Sequence, residues 1–317
     1  MKTSIIGYPR IGALRELKFA SEKYFRQEIT AEEMLETAKN IRLKNCTVQN
    51  ENGIDYIPSN DFSFYDNMLD TAVLLNAVPE RYTRNLSELD TYFAMARGYQ
   101  GKSGDVKALA MKKWFNTNYH YMVPEFEDST EIKLAETKPF DEFLEAQESG
   151  IKTKPVIIGA FTFLKLARFT GNKGIADFAD GVSSAYCDYL AKLSELGAEW
   201  AEFDEPYLVA DLSAEDISLL VSLSRFFPQL PSVHSLRQQR SEPTEPLSKR
   251  VRYPKSSTSS STKSRSLTAL SFRKRSGLMF LCTASLKETI WWNISVSALT
   301  NISLPKRRGC IPTEHAV

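Results

Sequence analysis

Three groups of polar residues stand directly after predicted β-strands, at the points where the chain leaves each strand. Arg10 follows the first strand, Asn60-Asp61 follow the second, and Asp204-Glu205 follow a strand that begins at Glu199. In α/β barrels the residues just past the carboxyl ends of the strands build the active site. These residues are therefore candidates for ligand-binding or acid–base chemistry, and helix capping or loop solvation is the alternative interpretation.

A pair of cations at the start of a predicted helix is a second candidate. Arg15 and Lys18 are three residues apart, which places both on one helix face. The N-terminus of a helix favours anions, so two cations beside it would suit a carboxylate or a phosphate. The alternative is a solvated face on which Lys18 pairs with Glu22.

The segment from Lys112 to Tyr121 is a third candidate because it combines cations, aromatic rings and amides. It holds two lysines, four aromatic residues and two asparagines within ten positions. Flat rings and amides suit a planar organic ligand, whereas the alternative is an aromatic-rich core strand. His120 lies in this segment, and no catalytic residue is predicted from the sequence.

Spacings typical of metal and nucleophile sites are not found in the sequence. The four cysteines are far apart and form no Cys-x-x-Cys pair; they are Cys46, Cys187, Cys282 and Cys310. No Gly-x-Ser-x-Gly sequence indicates a nucleophilic serine. We therefore predict no metal site and no disulfide framework, and we expect a reducing, cytoplasmic setting. No apolar run approaches the ~20 residues that span a membrane.

Alternating strands and helices must position these candidates. Strands are predicted at 4–6, 54–58, 119–123, 154–159 and 199–203, with helices between them. Thr30 and Glu33 form a capping-box pattern that predicts a helix start. The alternation favours a parallel sheet, and no Gly-x-Gly-x-x-Gly sequence supports a dinucleotide-binding fold. The predicted fold class is α/β, an incomplete (βα)8 TIM-like barrel.

The C-terminal part of the chain differs sharply in composition. Residues 1–225 hold 25 basic and 35 acidic residues, whereas residues 226–317 hold 15 basic and 4 acidic residues together with 17 serines. Helical periodicity also stops near residue 224. We divide the chain into a partial barrel at 1–223 and a basic, low-complexity tail at 224–317 that we expect to be disordered and without a recognisable fold.

Three interpretations of the tail remain open. A basic arm could bind nucleic acid through phosphate contacts, which makes a nucleic-acid-binding or scaffold protein the alternative function. A localisation signal could lie at 249–252 or 306–308. A shifted reading frame is the interpretation that we favour, because aspartate vanishes and serine and arginine rise where the periodicity ends.

Six motifs occur in the order that is typical of one enzyme family. The chain resembles cobalamin-independent methionine synthase over residues 1 to about 223, through Gly7-Tyr8-Pro9-Arg10-Ile11-Gly12, Arg15-Glu16-Leu17-Lys18, Asn60-Asp61-Phe62-Ser63-Phe64-Tyr65-Asp66, Lys113-Trp114-Phe115-Asn116-Thr117-Asn118-Tyr119-His120-Tyr121, Lys154-Pro155-Val156-Ile157-Ile158-Gly159 and Asp204-Glu205-Pro206.

The resemblance implies the N-terminal half of a two-barrel methyltransferase of methionine biosynthesis. That enzyme moves a methyl group from 5-methyltetrahydropteroyltriglutamate to homocysteine without cobalamin. The resemblance assigns folate binding, chiefly of the glutamate tail, to Arg15, Glu16, Leu17, Lys18 and Lys113. It also implies zinc in the family's C-terminal barrel, whose ligands have no match here, so we expect this chain alone to be inactive. Neither a membrane nor a nucleic acid is an expected partner.

Overall fold

The computed structural model describes residues 3–83, 86–101 and 104–224, and the backbone of three strands at 272–273, 279–286 and 290–292. These residues form a mixed α/β fold. The helices of the described part are α1 (Glu16–Phe25), α2 (Ala31–Glu51), α3 (Asn67–Leu74), α4 (Glu88–Arg97), α5 (Lys138–Glu148), α6 (Ala160–Leu166), α7 (Ile175–Glu195) and α8 (Ala214–Leu223).

The strands of the described part divide between one large sheet and two small ones. They are β1 (Ile57–Ser59), β2 (Met111–Lys113), β3 (His120–Met122), β4 (Glu125–Phe126), β5 (Thr153–Ile158), β6 (Arg168–Phe169), β7 (Trp200–Asp204), β8 (Phe272–Arg273), β9 (Met279–Leu286) and β10 (Ile290–Trp292).

The large sheet has the strand order β1-β5-β7-β9-β10, and β1, β5, β7 and β9 run parallel. Its register aligns Ile57 with Thr153 and Val156 with Glu202. Parallel neighbours require crossover connections, which the helices between them supply. The described strands form a sheet of four parallel strands with β8 and β10 antiparallel to β9, and they do not close into a barrel.

Helices α3, α5, α6 and α7 share a core with the strands of this sheet because their apolar stripes need burial. The main core includes Phe143 of α5, Phe161 of α6 and Tyr189 of α7, packed with Ile157 and Phe203 of the sheet. Burial of such large side chains contributes about 1.5–3 kcal/mol each. This core holds the carboxyl ends of β1, β5 and β7 at one edge.

The predicted elements agree with the structure in many places and differ from it in others, among them the short strands β2, β4 and β6, which were not predicted. The strand expected at 4–6 is reduced to one parallel bridge between Ser4 and Tyr56. The helix α6 was not predicted. Within the tail, β8, β9 and β10 have strand geometry where the sequence indicated no element, and β9 pairs with β7. The rest of 225–317 lies outside the described residues, so its disorder and the three interpretations of it stay predictions.

Candidate functional site

The first turn of α1 presents its cations to solvent. Arg15 is the N-cap residue of α1 in a left-handed conformation with φ 62°, and its side chain is exposed. Lys18 is about half exposed, and its Nζ lies 3.7 Å from a carboxylate oxygen of Glu22. Within the described part of the chain, Arg15 has no ion pair. Arg15 is thus available to an external anion. Lys18 is available too, because its exposed ion pair with Glu22 is weak.

The two residues between these cations, Glu16 and Leu17, make different contacts. Leu17 is 1% exposed and packs with Phe62 in a small core that also contains Ala38 and Ile41. Glu16 turns back on the backbone, where its Oε2 accepts the N–H of Leu14 at 2.9 Å. Backbone hydrogen bonds lower the pKa of the Glu16 carboxyl. Leu17 and Glu16 therefore shape the turn that carries the two cations.

Lys113 lies at the end of a surface hairpin. It is the last residue of β2 and pairs with His120 of β3, and both side chains are exposed. Trp114 follows and packs edge-on against Tyr121 with ring centroids 5.6 Å apart. Lys113 has no ion pair with a described residue. No hydrogen bond, ion pair or ring contact among the described residues joins Lys113 to 15–18.

Two of the three strand-end groups come together, as the sequence predicts for a parallel sheet. A cavity of about 110 Å³ at the carboxyl ends of β1, β5 and β7 is lined by Asn60, Asp61 and Asp204. Burial raises the pKa of Asp61 to about 6, although the Tyr8 N–H that it accepts acts in the opposite direction. The volume corresponds to a few water molecules.

Arg10 does not reach this cavity's lining. Its guanidinium donates to the carbonyl oxygens of Ser63 at 2.7 Å, Phe64 at 3.1 Å and Tyr65 at 2.6 Å. These hydrogen bonds tie the side chain to the backbone of one loop. Arg10, one of the three strand-end candidates, therefore uses these donors to hold the backbone of the loop and does not line this cavity.

Glu205 also has an internal role. Its carboxylate accepts the N–H groups of Phe161 at 3.0 Å and Thr162 at 2.7 Å, in the first turn of α6, and the hydroxyl of Thr162. Burial raises its pKa to about 7, against the lowering effect of these hydrogen bonds. The capping interpretation therefore holds for Glu205, which supplies the cap from the end of β7.

Lys138, which lines the same cavity and pairs with buried carboxylates, was not predicted from the sequence. Lys138 Nζ lies 3.2 Å from Asp70, 3.1 Å from Glu142 and 2.8 Å from Asn60 Oδ1, and it also donates to the carbonyl of Phe62 at 2.8 Å. The i,i+4 spacing of Lys138 and Glu142 is the one feature of the sequence that could have predicted this ion pair. That spacing is more often an exposed pair, and nothing in the sequence marks this one as buried.

A second missed pair lies within the sheet. Lys154 of β5 and Glu202 of β7 form a buried ion pair, with side chains 2% and 1% exposed. Burial lowers the pKa of Lys154 to about 8, and Asp204 and Asp61 oppose this shift. The pair links two neighbouring parallel strands through their side chains.

The described residues do not fit the zinc that the resemblance implies. No group of three or more His, Cys, Asp and Glu side chains in the described part of the chain could hold a metal ion. Cys46 is buried, which raises the pKa of its thiol to about 12. Cys187 is exposed, whereas the side chain of Cys282 and all of Cys310 lie outside the described residues. None of the helices described is long and apolar enough to cross a membrane.

Comparison with known proteins gives a consistent family assignment. Residues 2–234 match the family model described as cobalamin-independent synthase, N-terminal domain. A curated Streptococcus thermophilus protein named 5-methyltetrahydropteroyltriglutamate–homocysteine methyltransferase is 56% identical over 224 residues. A Campylobacter jejuni protein of the same name is 58% identical over 220 residues.

The matches cover only part of these relatives. The aligned region is 70% of this chain but 30% of the Streptococcus protein, and 69% against 29% for the Campylobacter protein. A solved Listeria monocytogenes structure, described as a candidate vitamin-B12-independent methionine synthase, aligns at 15% identity and a TM-score of 0.45 over 72% of this chain and 61% of that one. This structural likeness is too low to carry an argument. On the family model and the curated relatives, the chain belongs to the cobalamin-independent methionine synthase family, through that family's N-terminal domain.

Proposed function

We propose that this chain supplies the part of a methyltransferase that binds the glutamate tail of 5-methyltetrahydropteroyltriglutamate. The methyl acceptor of the full enzyme is homocysteine, as the name of the relatives states. The observation that carries this proposal is that Arg15 and Lys113 are exposed cations without an acidic partner among the described residues. The tail of the substrate carries several carboxylates, which such cations bind.

Charge and helix geometry support the same ligand. Arg15 stands at the N-terminus of α1, where the helix dipole adds to its attraction for an anion. The pair between Lys18 and Glu22 is exposed and is worth about 0–1 kcal/mol, so a carboxylate of the ligand can replace Glu22. Hydrogen bonds between charged partners contribute about 1.5–3 kcal/mol each when they are desolvated.

We also propose that the parallel strands β1, β5 and β7 belong to an incomplete (βα)8 barrel within residues 1–223. Their parallel order and the convergence of their carboxyl ends on one cavity support this proposal. The chain on its own is expected to form no methionine, even with zinc added, because the zinc ligands that the resemblance implies have no match in its sequence. We further propose that the protein is cytoplasmic.

Calorimetry with the triglutamate substrate tests the binding function. Arg15→Ala, Lys18→Ala and Lys113→Ala are each expected to weaken binding about tenfold, which corresponds to ~1.4 kcal/mol. Lys133→Ala is the matched control, since Lys133 is an exposed lysine paired with Glu131 outside the candidate site. Absence of binding by the unaltered chain, or an equal loss in the control, would refute the proposal.

A further inference from the structure

The connection between β1 and α3 contacts both of the cation-bearing segments. This β1–α3 loop comprises residues 60–66. One set of contacts reaches the chain that leads into Arg15 and Lys18, and another reaches the hairpin that carries Lys113. No hydrogen bond, ion pair or ring contact among the described residues joins the two segments directly, whereas the loop has contacts with both.

The contacts toward α1 combine hydrogen bonds with packing. Asp61 Oδ2 accepts the N–H of Tyr8 at 2.8 Å. Arg10 donates to three successive carbonyls of the loop, at 63–65. Phe62 packs against Leu17, the buried residue between the two cations. The path of the chain from residue 8 to the first turn of α1 therefore follows the loop.

The contacts toward the hairpin pass through Asp66. Its Oδ1 accepts the N–H groups of Met68 at 2.9 Å and Leu69 at 3.0 Å, which caps α3. Its Oδ2 accepts the N–H of Met122 in β3 at 3.1 Å. Met122 pairs with Met111 of β2, the strand that ends at Lys113. A single carboxylate thus ties the hairpin to the loop.

We propose that the β1–α3 loop sets the distance between the Arg15/Lys18 cations and Lys113, with Arg10 and Asp66 as positioning residues for a ligand that carries several carboxylates. This inference rests on the proposed binding of the glutamate tail. A tail that bridges two anchored cation groups binds without the cost of ordering those groups at each encounter. A ligand with one glutamate engages one group and gains little from their spacing.

Asp66→Asn is the sharpest test because it preserves one function of the side chain and removes the other. The amide oxygen can still cap α3, whereas the amide nitrogen places a donor against the Met122 N–H. We expect triglutamate affinity to fall about tenfold and monoglutamate affinity to change less than twofold. In a Lys113→Ala background, Asp66→Asn is expected to cause no further loss.

Arg10→Lys tests the other side of the loop. One ammonium group cannot reproduce the guanidinium bonds to three carbonyls. Its effect on triglutamate affinity is expected to disappear in the Lys113→Ala background and in the Arg15→Ala/Lys18→Ala background, because in each of them one of the two cation groups is missing. Ser213→Ala is the control, because it removes the cap of α8 without touching the loop. It is expected to lower stability and leave the ratio of triglutamate to monoglutamate affinity unchanged.

Amide hydrogen exchange of the unliganded full chain separates this inference from the proposed function. Asp66→Asn is expected to speed exchange in residues 111–122 and Arg10→Lys in the first turn of α1, each leaving the other segment unchanged. Unchanged exchange in both variants, or equal losses of triglutamate and monoglutamate affinity, would overturn the inference. If the unaltered chain binds no triglutamate while the exchange changes occur, the proposed function fails and the positioning of the ligand fails with it, but the anchoring by the loop stands.

Discussion

Replacing Lys138 with methionine is expected to lower the free energy of unfolding by about 3–5 kcal/mol at pH 7.5. The ammonium group lies 3.2 Å from Asp70 and 3.1 Å from Glu142, and the three side chains are 16%, 9% and 5% exposed. Methionine leaves both carboxylates buried without this partner, and only Glu142 has another cation, Arg42, at 3.7 Å. Removal of one partner from a buried ion pair costs about this much. The loss is large beside a typical stability of about 5–15 kcal/mol.

The pH dependence distinguishes this electrostatic cause from a loss of packing. Burial alone lowers the pKa of Lys138, but Glu142 and Asp70 reverse this effect and hold the pKa above its ordinary value. Burial raises the pKa of Glu142, against the effect of Lys138 and Arg42. Without Lys138 the Glu142 carboxyl takes up a proton more readily, so the destabilisation is expected to be smaller at pH 5 than at pH 7.5.

Urea unfolding, followed by circular dichroism and tryptophan fluorescence at both pH values, measures these differences. Lys133→Met is the matched control, because Lys133 and Glu131 are 57% and 75% exposed and their pair contributes about 0–1 kcal/mol. A loss below about 1 kcal/mol in Lys138→Met would refute the reasoning. So would a larger loss that is identical at pH 5 and pH 7.5.

Two further predictions concern the cap of α6. The pKa of Glu205 is raised from 4.5 to about 7, so its favourable contribution is complete below pH 4.5 and is lost as the pH rises through 7. The stability of the unaltered chain relative to Glu205→Gln is therefore expected to fall by up to ~3 kcal/mol between pH 5 and pH 8, and a constant difference in urea unfolding would contradict this. Gly159→Ala places a Cβ against the Glu205 carboxyl and is expected to lower the free energy of unfolding by about 1–3 kcal/mol. Gly174→Ala is the control, because the Cβ that it adds meets nothing closer than 4.0 Å. Equal losses of unfolding free energy in the two variants would refute the steric cause.

Features that depend on neighbours along the chain could be predicted from the sequence. The capping box at Thr30 is present, with the Glu33 N–H donated to Thr30 Oγ1 at 3.3 Å and the Thr30 N–H donated to Glu33 Oε2 at 2.8 Å. Ser87 caps α4 in the same way, accepting the N–H of Asp90 at 3.1 Å. Both partners of each bond lie within one turn, so the sequence contains the whole interaction.

The helix α6 could not be predicted because its signals are not local. Residues 160–164 are all buried, so they show no alternation between apolar and polar faces. Its N-cap is Gly159, which offers no side chain, and the capping carboxylate comes from Glu205 at the end of another strand. A helix that is buried all round and capped from a distance resembles a buried strand in sequence.

The three cations of the candidate sites show why residue type and position predict a site only in part. Two of the three cations already have partners within the fold: Arg10 donates to backbone carbonyls, and Lys138 pairs with buried carboxylates. Lys113 is the third. Backbone carbonyls have no sequence identity, so a partner 53–55 residues away cannot be recognised from the chain. A cation is free for a ligand only when no other element of the fold presents an acceptor to it. Lys113 meets that condition among the described residues because its side chain is exposed at the end of its hairpin, so the binding that we propose depends on the anchoring of that hairpin by Asp66 as well as on the lysine.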